Sequence, residues 1–315
     1  MDKRISIIGA PVWLGQTRYG TNLAPDAIRS AGIIARLEAA GCDVIDEGNI
    51  PVSAAGRCRQ AECNIKNSQS VVRASEELAG AVSRALADDR FPLILGGDHS
   101  IAIGSIAGVA GHFQELGVIW FDAHADINTP ETSPSGNIHG MPLAASLGLG
   151  YPGLAKVGGW VGKIKPENLI YIGVRDIDPG ESELISRYGI KNYGPAEVRL
   201  RGMDTVVREA LADLSSRCDA IHLSFDLDGI DPTEAPGVGT PVREGVSFAD
   251  SLQALGVLFE SGLITSAEFV ELNPILDKDN RTVNAAVKLI AALLVNGIGS
   301  MIVDITGLNS VEALK

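Results

Sequence analysis

The sequence predicts a single-domain, three-layer α/β/α fold built on a mostly parallel, doubly wound sheet. Three observations predict it. Short apolar runs alternate with longer amphipathic segments along the whole chain. The strand-like runs are continuously apolar, as strands covered on both faces require. No internal repeat and no low-complexity linker divides the 315 residues, so residues 1–315 read as one domain.

Taken in order, Arg4–Ala10 reads as the first strand, ending in a turn at Pro11. Pro25, suited to the first turn of a helix, opens one that runs to near Gly41. Between residues 76 and 86, Leu78, Val82 and Leu86 recur on one helical face. Residues 91–95, 117–121, 169–174, 220–225 and 267–270 are short apolar runs with strand character. Residues 130–166 are rich in Gly, Ser and Pro and read as a long loop region. The last helix sets Val283, Val287, Ile290 and Leu294 on one face and stops at Gly297.

Composition narrows the function classes. Hydrophobic residues at 45% and charged residues at 21% argue against disorder, and 5% aromatics imply an aliphatic core. Against 39 acidic residues stand 26 basic ones, a net charge of −13. That balance excludes a nucleic-acid partner, whose phosphates need a positive field. The one basic concentration, Arg57, Arg59 and Lys66, is too thin for a phosphate track.

Residues 5–14 superficially resemble a leader, but Gly9 and Pro11 interrupt them and no small-residue cleavage site follows. Residues 289–305 are broken by Asn296, Gly297, Gly299 and Asp304, so no membrane span is expected. Cys42, Cys58, Cys63 and Cys218 form no CxxC pair, which points away from a cysteine-held zinc site and a disulfide framework and toward a reducing, cytoplasmic location.

In an open α/β sheet, ligands bind just beyond the carboxyl ends of the strands. Three of the runs end there in metal-ligand residues. They are Gly96-Gly97-Asp98-His99-Ser100, Asp122-Ala123-His124-Ala125-Asp126, and Asp226-Leu227-Asp228-Gly229-Ile230-Asp231-Pro232. Singly, each fits a local role: Asp98 and Ser100 suit a helix cap, and Asp231-Pro232 suits a turn. Together, at three strand ends, they fit a site. So many carboxylates on one rim repel each other unless cations or protons neutralise them.

The absence of thiolates disfavours copper(I) and iron–sulfur clusters. Two imidazoles among about four carboxylates favour manganese, iron, cobalt or zinc over magnesium and calcium. A pair of such ions roughly 3.5–4 Å apart, sharing carboxylates, can ionise a water at neutral pH.

Other features read as structural. His222 lies inside a strand run and reads as a core histidine, while His112 reads as surface. Residues 148–153 fit the pattern G-x-G-x-x-G, yet no strand precedes them and Pro152 spoils the helix start. No Walker loop and no G-x-S-x-G elbow occurs, and Cys58 and Cys63 have no histidine nearby to act as base.

GGDHS, DAHAD and SFDLDGIDP, in that order, resemble the metal motifs of the ureohydrolase (arginase/agmatinase) family. These are binuclear manganese enzymes that release urea or a related fragment from guanidino compounds. Residues 122–139, DAHADINTPETSPSGNIH, are similar to a loop of the arginase branch, and residues 173–181 to the segment holding the amino-acid end of its substrate. Glu271, in Glu271-Leu272-Asn273-Pro274, resembles the family's guanidinium-binding glutamate, and Thr240 another pocket residue. The resemblance runs from Ile7 to near Val295. It departs from the arginases at Pro134, Gly237-Val238 and Arg243-Glu244.

The resemblance implies an arginase-like fold with two Mn2+ per subunit. His99, Asp122, Asp126 and Asp226 would hold one ion, and Asp122, His124, Asp226 and Asp228 the other. It further implies hydrolysis of L-arginine to L-ornithine and urea by a homotrimer or homohexamer. Asp126 would accept a hydrogen bond from the nucleophile, Glu271 would pair with the guanidinium, and His139 would carry a proton to the leaving amine. Asn128, Ser135 and Asn137 would receive the substrate carboxylate, while Asp178, with Glu181, would attract its ammonium.

The alternative is another ureohydrolase acting on agmatine, guanidinobutyrate or formiminoglutamate, for which the polar loop 128–137 has no obvious task. A silent scaffold would have lost a ligand or Glu271, and all are present. A metallophosphatase would offer Arg or Lys within the three motifs, and none is there.

Overall fold

In the computed structural model, which describes residues 3–53 and 65–295, eight strands form one sheet. They are β1 (Arg4–Ala10), β2 (Asp43–Asn49), β3 (Phe91–Gly96), β4 (Leu116–Phe121), β5 (Leu169–Ile172), β6 (Lys191–Tyr193), β7 (Ala220–Asp226) and β8 (Ile264–Val270). Every pairing is parallel, in the order β2-β1-β3-β8-β7-β4-β5-β6. The expected sheet is therefore present, and fully rather than mostly parallel.

Helices α1 (Ala24–Ser30), α2 (Ile33–Ala39), α3 (Ser68–Ala87), α4 (Ala102–Ala110), α5 (Pro142–Ser146), α6 (Pro152–Ala155), α7 (Pro179–Tyr188), α8 (Pro195–Arg201), α9 (Met203–Ser215), α10 (Phe248–Ser261) and α11 (Arg281–Leu294) complete the layers. Helices α1, α2, α9, α10 and α11 bury apolar residues against one face of the sheet, and α3 and α4 against the other. Two apolar layers thus sandwich one sheet, the three-layer arrangement. No helix among the described residues is long and apolar enough to cross a membrane.

The strand order positions the site. After β3 the chain moves to β4, and β8 and β7 later fill the gap between them. Four neighbouring strands, β3, β8, β7 and β4, then end side by side, and the crevice beyond such a switch in direction is where α/β sheets bind ligands.

Register also sorts the side chains. On one face Phe121, Phe225 and Phe269 sit on adjacent strands, with ring centroids 4.3 and 5.3 Å apart. On the other face β7 carries His222, Ser224 and Asp226 at period two, beside Ser266 and Glu268 of β8. Helix α4 covers this polar row; its Gly104 and Gly108 let it approach the backbone of α3.

Some elements differ from expectation. The helix opened by Pro25 is two helices, α1 and α2, because Gly32 adopts a left-handed φ of 87° between them. The region 130–166 contains α5 and α6 rather than loop alone. Pro152 does not spoil a helix start: it sits in the first turn of α6, where its missing N–H costs nothing. Strands β2 and β6 are edge strands whose polar residues hid them from a search for apolar runs. Cys58, Cys63, Arg57, Arg59 and Gly297 lie outside the described residues.

Candidate metal centre and substrate pocket

The three motifs share one local device. In each, an aspartate carboxylate accepts the backbone N–H two residues on: Asp98 from Ser100 at 3.1 Å, Asp122 from His124 at 2.7 Å, Asp226 from Asp228 at 2.7 Å. This turn lets a buried strand end bend while its carboxylate stays bonded. Gly97 is required by a close approach. A Cβ there would lie 1.9 Å from the carbonyl oxygen of Val12, which accepts the Asp98 N–H at 2.8 Å.

Two overlapping groups of ligand-type atoms result: His99, Asp122 and Asp126, and Asp122, His124 and Asp228. His99 Nδ1 lies 3.0 Å from Asp122 Oδ2, 3.2 Å from Asp126 Oδ2 and 3.0 Å from Asp226 Oδ2. His124 Nδ1 lies 3.4 Å from Asp122 Oδ1 and 3.2 Å from Asp228 Oδ2. Asp122 therefore directs one oxygen to each group, as a bridging ligand does. Asp226 faces His99, on the first group's side.

The donor set fits metal ions. His99 Nδ1 is buried without a hydrogen-bond partner, although three carboxylates surround it. Its other nitrogen explains why. Ser224 Oγ gives its one proton to Glu268 Oε1 at 2.7 Å, so it accepts from His99 Nε2 at 2.7 Å. The Nε2 proton leaves Nδ1 as a bare lone pair aimed at the carboxylates. Asp176 Oδ2 lies 3.8 Å from His124 Nε2, beyond hydrogen-bond reach.

Charge repulsion supports the same assignment. Burial, then Asp228 and Asp122, pushes the Asp226 carboxyl well above the ordinary range. Burial and Asp122 push Asp126 up to about 6. Protein groups alone do not comfortably hold all these negative charges, and divalent ions would.

The surrounding shell ties this rim down. The Trp120 ring stacks on His99 with centroids 4.0 Å apart, and its Nε1 donates to Asp122 Oδ2 at 2.9 Å. Tyr171 donates to the Ala125 carbonyl at 2.8 Å. Arg175 donates to the carbonyls of Gly173, Asp228, Gly229, Val242 and Arg243, joining the rim to the loop that bears Thr240. Thr240 itself donates to Asp228 Oδ2 at 3.0 Å.

A cavity of about 130 Å3 opens beside the rim, lined by His124, Asp126, Asn128, Ser133, Pro134, Ser135, His139, Gly140, Asp176, Asp178, Glu181 and Thr240. Most of the expected substrate residues thus meet in one place. Asn137 and Glu271 are not in its lining. Asn137 sits behind Ser135, donating its backbone N–H to Ser135 Oγ at 3.1 Å. Glu271 is buried behind His139, with Oε1 accepting the His99 backbone N–H at 2.9 Å and facing His139 Nδ1 at 3.2 Å.

Burial opposes a charge on His139, yet Glu271, Asp126 and Asp98 raise its pKa to about 9. Glu181 accepts the N–H groups of Ile127 and Asp178 and caps α7, so it braces the pocket wall. Asp178 accepts from Asn128 Nδ2 at 2.9 Å. Two non-glycine residues here, Asp126 and Glu271, hold left-handed φ values of 49° and 63°. Such strain persists where packing overrides it, commonly at functional sites.

Reading the sequence did not find Gln16, Trp120, Ser224 or Glu268. Gln16 Nε2 donates to Glu271 Oε2 at 3.0 Å. For Ser224 and Glu268 a signal existed: the period-two polar row His222, Ser224, Asp226 inside an otherwise apolar strand. His222 is buried, as expected of a core histidine, with Nδ1 2.8 Å from Ser266 Oγ. His112 is on the surface, bonded to Ser83.

Comparison with known proteins agrees with this geometry. The Arginase family model matches residues 3–295. The arginase of Bacillus caldovelox is 54% identical over 292 residues, covering 92% of this chain and 98% of the relative. Its native crystal structure matches with a TM-score of 0.91, over 94% of this chain and 99% of that one. The arginase of Bacillus subtilis strain 168 is 52% identical over 93% of this chain and 98% of its own. The Entamoeba histolytica arginase in complex with L-ornithine matches at 34% identity and a TM-score of 0.86, over 93% of this chain and 99% of that one. With a family model spanning the fold and relatives above half identity, this chain belongs to the arginase family.

Proposed function

We propose that the chain hydrolyses L-arginine to L-ornithine and urea with two Mn2+ ions. One would be held by His99, Asp122, Asp126 and Asp226, the other by Asp122, His124, Asp226 and Asp228. The chain is a hydrolase of the arginase family. The observation that carries the substrate reading is the pocket. Ligand-type residues His124 and Asp126 form one end, while Asn128, Ser135, Asp178 and Glu181 offer amino-acid-binding chemistry at the other. That an Entamoeba histolytica relative binds L-ornithine supports it.

When bound, two divalent ions would supply a water ionised near neutral pH and would stabilise the negative charge that develops in the attack. The remaining work falls to the side chains. Asp126 lines the cavity and can accept a hydrogen bond from the attacking water. Glu271 stands behind His139 rather than in the cavity wall, so its part here is to hold that imidazole, and pairing with the guanidinium, a planar cation that favours a carboxylate, is what the family resemblance implies for it. Its orientation is set by Gln16 and the His99 backbone N–H.

His139 donates Nδ1–H to Glu271, which holds the imidazolium charged, and Nε2–H is left to protonate the leaving amine. Asn128, Ser135 and Asn137 would take the carboxylate, and Asp178 the ammonium, with Glu181 bracing Asp178. We further propose that residues 1–315 form one catalytic domain that assembles as a homotrimer or homohexamer in the cytoplasm.

The test is urea release, or the equivalent fragment, from arginine, agmatine, guanidinobutyrate and formiminoglutamate by manganese-loaded protein. A site built around a polar group rejects its absence by up to about 10⁴–10⁵, and a solvated pocket mouth by less. Arginine should therefore lead agmatine by roughly 10²–10⁴ in kcat/KM. Comparable values would leave only a broader ureohydrolase.

A further inference from the structure

The pocket wall is anionic. Asp126, Asp176, Asp178 and Glu181 line it, and no lysine or arginine does. An amino-acid substrate must bring a carboxylate into that field, and of the residues assigned to receive it, Asn128, Ser135 and Asn137, none carries a charge. Just outside stands Lys66. Its backbone N–H donates to the Gly136 carbonyl at 3.0 Å, and its Nζ donates to Asn137 Oδ1 at 3.0 Å.

The next residue, Asn67, donates Nδ2 to the Leu14 carbonyl at 2.9 Å and stands at the N-terminal boundary of α3. The Lys66 ammonium is thus anchored to the segment bearing Ser135 and Asn137. Because Asn137 Oδ1 is occupied by Nζ, its amide Nδ2 is left to donate. The other cations near the pocket are spent elsewhere: Arg18 on the Gly239 carbonyl, Arg175 on five carbonyls. Among the described residues Lys66 has no carboxylate partner, so its charge is available.

We propose that Lys66 is a specificity-determining residue for the carboxylate of an amino-acid substrate. It supplies a positive charge beside the segment bearing Ser135 and Asn137 and, by occupying Asn137 Oδ1, fixes the orientation of the amide that donates through Nδ2. The inference rests on the arginine reading and adds to it a cation that none of the motifs contains.

The experiment measures kcat and KM for arginine and agmatine with the unmodified protein, K66M, K66Q and K66R, all manganese-loaded and assayed for metal content. Ion pairs at exposed sites contribute up to about a fivefold change in binding. K66M and K66Q should raise KM for arginine about two- to fivefold while moving neither kcat nor KM for agmatine. K66R should restore the arginine KM. Added salt should raise the arginine KM of the unmodified protein more than that of K66M.

Equal changes for both substrates, or a loss confined to kcat, would make Lys66 a structural support and overturn the inference. K66Q matching the unmodified protein would show that the charge is irrelevant and would overturn it as well. An unmodified protein indifferent between arginine and agmatine would overturn the arginine reading itself. One that prefers arginine, with K66M equally selective, would overturn this inference alone.

Discussion

The metal rim and the pocket mouth both depend on carboxylates, but they are built in different ways. Rim residues sit at the ends of three strands, β3, β4 and β7, and His99, Asp122, Asp226 and Asp228 are each at most 2% exposed. The Asp122 and Asp226 carboxylates accept backbone N–H groups from within their own motifs. The mouth is assembled from segments 126–140 and 173–181, which side-chain pairs such as Asn128 to Asp178 and Thr132 join in addition to backbone hydrogen bonds. There the Asp176 side chain is 64% exposed. The contrast teaches a division of labour. On the proposed reading, buried, backbone-locked ligands would set the chemistry, and residues of the mouth, some of them buried like Asn128 and Glu181, would set which molecule receives it.

The comparison predicts that rim changes act on rate and metal content, and mouth changes on KM. The largest effect should come from Asp228→Asn, which removes a negative ligand from a dication. Its cost should exceed the roughly 10–100-fold typical of residues behind the ligands, with metal lost on purification. A purified variant retaining both ions and near-normal turnover would break the rim assignment.

His139→Asn lies where the two regions meet. It should lower kcat by about 10²–10⁴ without changing metal content, as loss of general acid–base catalysis does. Unchanged kcat across pH 7–10 would return His139 to the loop.

Ser224→Ala touches neither metal nor substrate, yet it frees the His99 tautomer. It should weaken metal binding about 10–100-fold and leave the arginine KM of the fully loaded protein in place. Titration of the metal-stripped variant with manganese reads this directly, and an unaltered affinity would show that Trp120 stacking alone holds His99.

The smallest effect in rate should follow Asn128→Ala with Asn137→Ala. The pair should raise the arginine KM by roughly tenfold, within the 10–200-fold that modest pocket changes command, and narrow the arginine-to-agmatine ratio. A fall in kcat at constant KM would mean that the mouth and rim are not separable.

Legibility followed the same division. His99, Asp122, His124, Asp126, Asp226 and Asp228 are legible because each motif directly follows an apolar strand, and the sheet carries those ends to one rim. The central strands are visible as apolar runs, whereas β2 and β6 are edge strands with exposed polar residues and no such signal. A single helix from Pro25 onward is interrupted at Gly32, whose left-handed conformation splits it. In the site, Gln16 is invisible to sequence reading because its partner Glu271 lies 255 residues away. Lys66 stands out in the sequence only as a member of a thin basic cluster.

The sequence by itself determined the parallel α/β class, the ligand types and their motifs, since these follow from local periodicity and covalent spacing. Its family resemblance supplied the substrate expectation. Only the tertiary structure decided which oxygen of Asp122 faces which imidazole, that Ser224 and Glu268 set the His99 tautomer, and that Glu271 stands behind His139 rather than in the cavity wall. It also placed the Lys66 ammonium beside Asn137. The reason is physical. Hydrogen-bond partners in this site come from strands and loops tens to hundreds of residues apart, and the parallel register that aligns them is set by packing of the whole sheet.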